Sequence, residues 1–220
     1  MSEQKRVNHT RSGRSVAAFV LGIVLILALA VGCQAENKAE DKTETAGGDT
    51  YYADITVRDY GVITVELDAA AAPETVENFV TLARQDFYDG LTFHRIMAGF
   101  MMQGGDPNGN GTGGSDKNIK GEFAANGVNN PLSHTRGAIS MARQGENPFT
   151  GEKNYDSASS QFFIVHQDSP FLDGQYAVFG YVTEGMDVVD AVCADAQPVD
   201  GNGSIAKEAQ PVIEDIEIYQ

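Results

Sequence analysis

From Tyr51 onward, short bursts of alternating apolar and polar residues are separated by gaps rich in glycine, asparagine and serine. The segment "YADITVRDYGVITVELD" alternates on both sides of "DYG", which predicts a hairpin of two half-buried strands. "PETVENFVTLARQDF" instead repeats Val76, Phe79, Val80, Ala83 and Phe87 at helical spacing. Pro73 suits the first helical turn, and Glu74 and Glu77 favour its positive end. Short strands follow in "LTFHRI", "FMMQGG", "GAISMAR", "SQFFIVH", "AVFGYV" and "PVIEDIEIY", with a short helix, "MDVVDAV", between the last two. Eight short strands and only two helices predict a mainly β domain, a closed or nearly closed antiparallel barrel. No internal repeat is visible.

The front of the chain follows another pattern. "VAAFVLGIVLILALAVGC", Val16 to Cys33, is uncharged and follows a basic, polar stretch holding Lys5, Arg6, Arg11 and Arg14. A basic region, an apolar region and small residues before a boundary describe a secretory signal over residues 1–32. The ending "LALAVGC" resembles a bacterial lipobox, although Ala30 stands where leucine is commonest, and the resemblance implies lipidation of Cys33. The alternative is an uncleaved anchor, because the run approaches the ~18 residues that a spanning helix needs. Both readings place the remainder outside the cytoplasmic membrane and tethered to it. "QAENKAEDKTETAGGDT" has no aromatic or large aliphatic residue, so 33–50 reads as a flexible acidic linker and 51–220 as the folded domain.

The net charge of −16 opposes nucleic-acid binding, which needs clustered lysine and arginine. Two cysteines offer neither a disulfide framework nor a zinc site. With Cys33 lipidated, Cys193 is a lone thiol on an amphipathic helix and is expected to be buried and structural. "DPNGNG", Asp106 to Gly111, begins like a calcium loop, but the twelfth position is Lys117 where a bidentate glutamate belongs. "GNGTGG", Gly109 to Gly114, spells a dinucleotide fingerprint, but no helical periodicity follows it. A wide loop that uses glycine for its backbone angles is the simpler reading. His9, His94, His134 and His166 lack ligand spacing, and no nucleophilic triad is apparent. No metal and no cofactor are expected.

"FHRIMAGFMMQGGD", Phe93 to Asp106, sets one arginine among aromatic and thioether side chains, with a glutamine and two glycines after it. Together with "SQFFIVHQDSPFLDGQYAVFGYVTEGMDVVD" it resembles the cyclophilin-type peptidyl-prolyl cis-trans isomerases, in order and across the domain from about Ala53. The resemblance implies a closed eight-stranded antiparallel β-barrel capped by two α-helices, and rotation about X–Pro bonds as the reaction. It makes Arg95 the catalytic arginine and Phe100, Met101, Phe163 and Leu172 the pocket for the proline ring. Gln103 then positions the arginine and substrate, and Ala142 and Gln161 line the substrate groove. Period-two geometry supports part of this independently, since Met101 and Gln103 share one strand face, as do Gln161 and Phe163.

The implied partners are proline-containing peptides and unfolded secreted proteins. A peptide-binding module with the same groove and no turnover is the competing reading. Several positions depart from the family pattern. Phe171 replaces a common tryptophan, which implies weakened cyclosporin binding through the lost indole N–H. Tyr176 replaces a common histidine and keeps an aromatic wall. Arg143 replaces an asparagine and adds a positive charge at the groove, and Ala98 replaces the proline before Gly99. The segment Gln144–Ser159 is longer than the usual connection, and it either selects substrates or is a tolerated insertion.

Overall fold

The computed structural model describes residues 50–220. The expected signal over 1–32, the lipidated Cys33 and nearly all of the linker fall outside the described residues.

Strands β1 (Tyr51–Val57) and β2 (Gly61–Leu67) form the expected hairpin, with Ile55 opposite Ile63. Alternation turns Ala53, Ile55, Val57, Ile63, Val65 and Leu67 inward, and all six are buried. Helix α1 (Pro73–Ala83) buries Val76, Phe79, Val80 and Ala83, as their spacing requires. It ends before Phe87 because the chain turns through Asp86 at φ 56°, a left-handed conformation that cannot continue a helix. Its N-terminus is capped from a distance. The buried Glu122 carboxylate accepts the Thr75 N–H at 2.8 Å, the Glu74 N–H at 3.2 Å and the Thr75 hydroxyl at 2.7 Å. An anion is thereby placed at the positive end of the helix dipole.

The chain continues through β3 (Phe93–Met97), β4 (Met101–Gly104), β5 (Ala138–Met141), β6 (Phe162–Val165), β7 (Val178–Glu184), α2 (Met186–Asp195) and β8 (Ile213–Tyr219). Short 3-10 turns at Ala124–Asn126, Pro170–Leu172 and Lys207–Ala209 were not visible as periodic segments. Cys193 lies buried on α2, where desolvation pushes its thiol up to about 11, the setting of an inert structural cysteine.

All eight strands join one antiparallel sheet in the order β3-β4-β6-β5-β7-β2-β1-β8. The expectation of a closed barrel is corrected here: the sheet is curled but open, with no β3–β8 ladder. Its edges touch at one bridge, Thr92 with Val212, supported by Phe93 N–H to Pro211 O at 2.9 Å and Ile213 N–H to Leu91 O at 2.8 Å. The physical reason lies in the loop before β8. Ile96 N–H donates to Gly203 O and Ile205 N–H to His94 O, so this loop occupies the β3 edge that β8 would need for closure. The edge is covered, which also removes a template for intermolecular pairing.

Strand alternation divides the apolar residues between two faces. Met102, Phe162, Ile164 and Ile139 join the main core with Phe79 of α1, whose ring lies 5.4 Å from that of Phe162. Their sequence neighbours Met101, Phe163, Val165 and Ala138 form a smaller cluster on the outer face, packed by Phe100, Leu172 and Tyr176. The candidate site is built on that second cluster.

Candidate active site

The cross-strand register assembles the site as a single row. Arg95 of β3 lies opposite Gln103 of β4, Gln103 opposite Phe163 of β6, and Phe163 opposite Ser140 of β5. One face of four strands therefore carries a cation, an amide and an aromatic ring side by side.

Arg95 is fixed at one edge and available at the other. Its Nε donates to the Asn202 carbonyl at 2.7 Å, and its Nη1 donates to Gln103 Oε1 at 3.2 Å. The Asn202 loop is itself held by Asp200, whose carboxylate accepts the Asn202 and Ser204 N–H groups at 2.9 and 3.0 Å. The other guanidinium contacts are to thioethers, Met101 Sδ at 3.8 Å and Met97 Sδ at 3.3 Å. Sulfur is a weak acceptor, so a carbonyl oxygen displaces it readily. The Phe100 ring lies beneath the cation, 5.8 Å from Cζ to centroid. Partial burial lowers the Arg95 pKa from the ordinary arginine value, opposed by Tyr176 and Asp200, and an arginine so placed stays charged.

A relay of amides settles which way Gln103 faces. Its oxygen accepts from Arg95, so its nitrogen donates to Gln161 Oε1 at 2.8 Å, and Gln161 Nε2 donates to the Gly113 carbonyl at 2.7 Å. Gly113 belongs to the "GNGTGG" loop, in which Gly109 and Gly111 have φ of 64° and 87°. Those left-handed angles are the reason for its glycines. The loop closes around the buried Asp106, which accepts the N–H groups of Asn108, Asn110 and Gly111. Burial pushes that carboxyl up, but the three backbone donors outweigh it and hold the pKa below the usual value.

Beside Arg95 opens a cavity of about 150 Å³ lined by Phe100, Met101, Gln103, Ala142, Arg143, Phe163, Leu172 and Tyr176. A second hollow of about 280 Å³ shares Gln103, Ala142 and Arg143 with it and continues past Gln161 and Gly111–Ser115. Of the residues expected at the site, all but two thus border the first cavity with Arg95. Gln161 lines only the second. Phe171 is 64% exposed and leans against Phe100 at 5.5 Å between ring centroids, outside the cavity lining.

Arg143 is more restrained than an added surface charge. Its Nε donates to Gln175 O at 2.9 Å and its Nη1 to Gln144 O at 3.0 Å. The rings of Tyr176, Tyr155 and Phe123 surround its Cζ at 4.5, 5.1 and 5.5 Å. Arg143 therefore clasps the long Gln144–Ser159 segment, through Tyr155, to the Tyr176 wall.

One support of the pocket had no signal in sequence. His134 is buried and its ring stacks on Phe163, centroids 5.9 Å apart and planes 12° from parallel. Its Nδ1 lies 2.8 Å from Asp173 Oδ1 and its Nε2 3.1 Å from Ser140 Oγ. These are the spacings of a Ser–His–Asp triad, yet Ser140 is fully buried and does not line the cavity, so no substrate carbonyl reaches it. The set braces Phe163. Desolvation lowers the His134 pKa, with Asp173 acting against it.

The groove thus combines apolar walls with two restrained guanidinium groups, those of Arg95 and Arg143, and a polar extension lined by glutamine, serine and threonine side chains. Comparison with known proteins identifies the family. Residues 52–218 match the family described as Cyclophilin type peptidyl-prolyl cis-trans isomerase/CLD. A peptidyl-prolyl cis-trans isomerase of Helicobacter pylori strain J99 is 45% identical over 157 residues, covering 70% of this chain and 88% of the relative. Peptidyl-prolyl cis-trans isomerase B of Bacillus subtilis is 43% identical over 154 residues, covering 70% and 93%. The crystal structure of a cyclophilin type isomerase from Cryptosporidium parvum superposes with a TM-score of 0.65 at 28% identity, covering 78% of this chain and 99% of that one. A second structure of the same parasite protein, in the presence of the dipeptide Ala-Pro, gives 0.64 at 28% identity, covering 77% and 99%. The chain belongs to the cyclophilin-type peptidyl-prolyl cis-trans isomerases and is an isomerase.

Proposed function

We propose that this isomerase accelerates X–Pro rotation in proteins folding outside the cytoplasmic membrane, with Arg95 as its catalytic residue and the cavity beside it as the seat of the proline ring. The Ala-Pro dipeptide in the related parasite structure supports a prolyl ligand for the groove. Amide resonance sets a rotational barrier of roughly 18–20 kcal/mol, and X–Pro isomers interconvert over tens to hundreds of seconds. At the top of that barrier conjugation is lost and the nitrogen becomes pyramidal and basic. A fixed N–H donor facing the prolyl group then gains strength in the transition state relative to the ground state. Phe100, Met101, Phe163 and Leu172 hold the ring still while the preceding residue turns. No bond to the protein forms, so no nucleophile is required.

The observation that carries this reading is the Arg95 donor arrangement: two edges tied to Asn202 and Gln103, and the remainder touching only displaceable sulfur. Arg95→Ala is expected to lower kcat/KM on an X–Pro peptide by about 100- to 1000-fold, with peptide affinity little changed. Equal rates for wild type and variant in a protease-coupled or NMR exchange assay would sink the mechanism.

The apolar run Val16–Cys33 after a basic stretch supports delivery outside the cytoplasmic membrane and tethering through lipidated Cys33, with unfolded secreted proteins as clients. Cys33→Ser is expected to abolish labelling by a radioactive fatty acid. Undiminished labelling would overturn the lipoprotein reading. Phe171 supplies no indole donor, so cyclosporin is expected to bind weakly.

A further inference from the structure

Phe100 is delivered to the cavity by a tight turn. Phe100 N–H donates to Met97 O at 2.9 Å, and Gly99 has φ 82°, so Met97–Phe100 has the form of a turn with glycine at its third position. Proline at the second position pre-sets the backbone angle of such turns, and here that position is Ala98. The turn is held from outside instead. His166, just past the end of β6, donates its backbone N–H to Phe100 O at 2.9 Å, and its ring Nδ1 accepts the Gly99 N–H at 2.8 Å.

The imidazole is itself oriented by two distant elements. Because Nδ1 accepts, Nε2 carries the proton, and it faces Asp190 Oδ1 of α2 at 3.1 Å. Arg136 then grips Asp190 through Nη2, at 2.7 and 2.8 Å to its two oxygens. Its Nη1 also donates to the His166 carbonyl at 2.7 Å. Gly99 is exposed, so water would satisfy its N–H if the ring were removed. The bond therefore adds little to folding stability. What it fixes is the placement of the Phe100 ring under the Arg95 guanidinium, on one wall of the cavity.

We propose that His166 is a positioning residue for the isomerase reaction: its Nδ1, aligned by Asp190 and Arg136, holds the Gly99 N–H and thereby sets the Phe100 wall against Arg95. The inference rests on the proposed roles of Arg95 and the proline cavity. Asparagine can present an oxygen where Nδ1 stands, whereas valine cannot accept a hydrogen bond, so the two replacements separate positioning from bulk.

The test compares full-length wild type, His166→Val, His166→Asn and Arg95→Ala on one X–Pro peptide. Misplacing a catalytic wall by a fraction of an ångström is expected to lower kcat of His166→Val by about 10-fold. KM and the thermal midpoint should stay close to wild type. His166→Asn should recover most of that loss. The Gly99 amide resonance should move in His166→Val and return toward its wild-type position in His166→Asn. Wild-type turnover by His166→Val, with Arg95→Ala inactive, overturns the positioning role and leaves the Arg95 mechanism standing. Equal impairment of the Val and Asn variants also overturns it. If Arg95→Ala is as active as wild type, the Arg95 mechanism fails and this inference falls with it.

Discussion

At the scale of single residues, the site depends on one side chain having fewer choices than its chemistry allows. A free arginine offers five N–H donors on a flexible stem, and in the proposed mechanism the usefulness of Arg95 comes from having two of them committed. Gln103 makes one of those commitments, and it faces correctly because Gln161 takes its amide nitrogen. Gln103→Leu is expected to lower kcat/KM about 10-fold while the unfolding midpoint stays near wild type, since the lost bonds lie in an open groove. A loss equal to that of Arg95→Ala would instead give Gln103 a direct part in the reaction. Much of this row was legible beforehand: strand period placed Met101 with Gln103 and Gln161 with Phe163. The Asn202 carbonyl was not, because a backbone acceptor carries no residue signature and lies 107 positions away. His134 was hidden for a related reason. Its partners Asp173 and Ser140 lie 39 and 6 positions off, and only folding turns those separations into contact with Phe163.

At the scale of elements, local pattern identified every strand and both helices among the described residues. Alternation records the buried face of β1 and β2, whereas β5 and β6, buried on both faces, read as short apolar runs between turn residues. Ends were harder to read. The helical spacing of "PETVENFVTLARQDF" runs on to Phe87, but Asp86 takes a left-handed turn and the helix stops at Ala83. Aspartate tolerates that conformation without announcing it, whereas glycine would have marked the boundary. Closure was misread for a deeper reason. Eight strands of this length suffice for a barrel, but closure also requires free edges, and the β3 edge is already bonded to Gly203 and Ile205. The loop that takes this edge also supplies Asn202 to Arg95. Opening the sheet at that point is thus what gives Arg95 its anchor.

At the scale of the whole molecule, burial of titratable groups beneath the groove predicts how the fold responds to acid. His94 points away from Arg95 on the opposite face of β3, is 5% exposed, and has no hydrogen-bond partner for either ring nitrogen among the described residues. Desolvation lowers its pKa from 6.5, Arg95 adds to the lowering and Asp106 opposes it. His134 is lowered from 6.5 as well, again chiefly by desolvation. A histidine whose folded pKa lies below its unfolded value binds fewer protons when folded. Its neutral form therefore supports the fold fully above about pH 6.5, and that support drains away as pH falls from there toward the folded pKa. Asp106 and Asp173 are both lowered on balance, their N–H donors overcoming the upward push of burial. Their contribution is present above about pH 4 and is lost on further acidification. The unfolding midpoint should accordingly fall in two stages, the first below about pH 6.5 and the second below about pH 4. His94→Phe isolates part of the first stage, since it removes two unpartnered polar atoms and keeps a flat ring of similar shape. Such an exchange is close to neutral or stabilising by about 1 kcal/mol at pH 7. It should also make the midpoint less sensitive to pH between about 7 and 5 than in wild type. Thermal unfolding of both proteins across that range decides it: parallel curves would mean that His94 takes up its proton in the folded state as easily as in the unfolded one, and that its burial is not what makes the fold acid-sensitive.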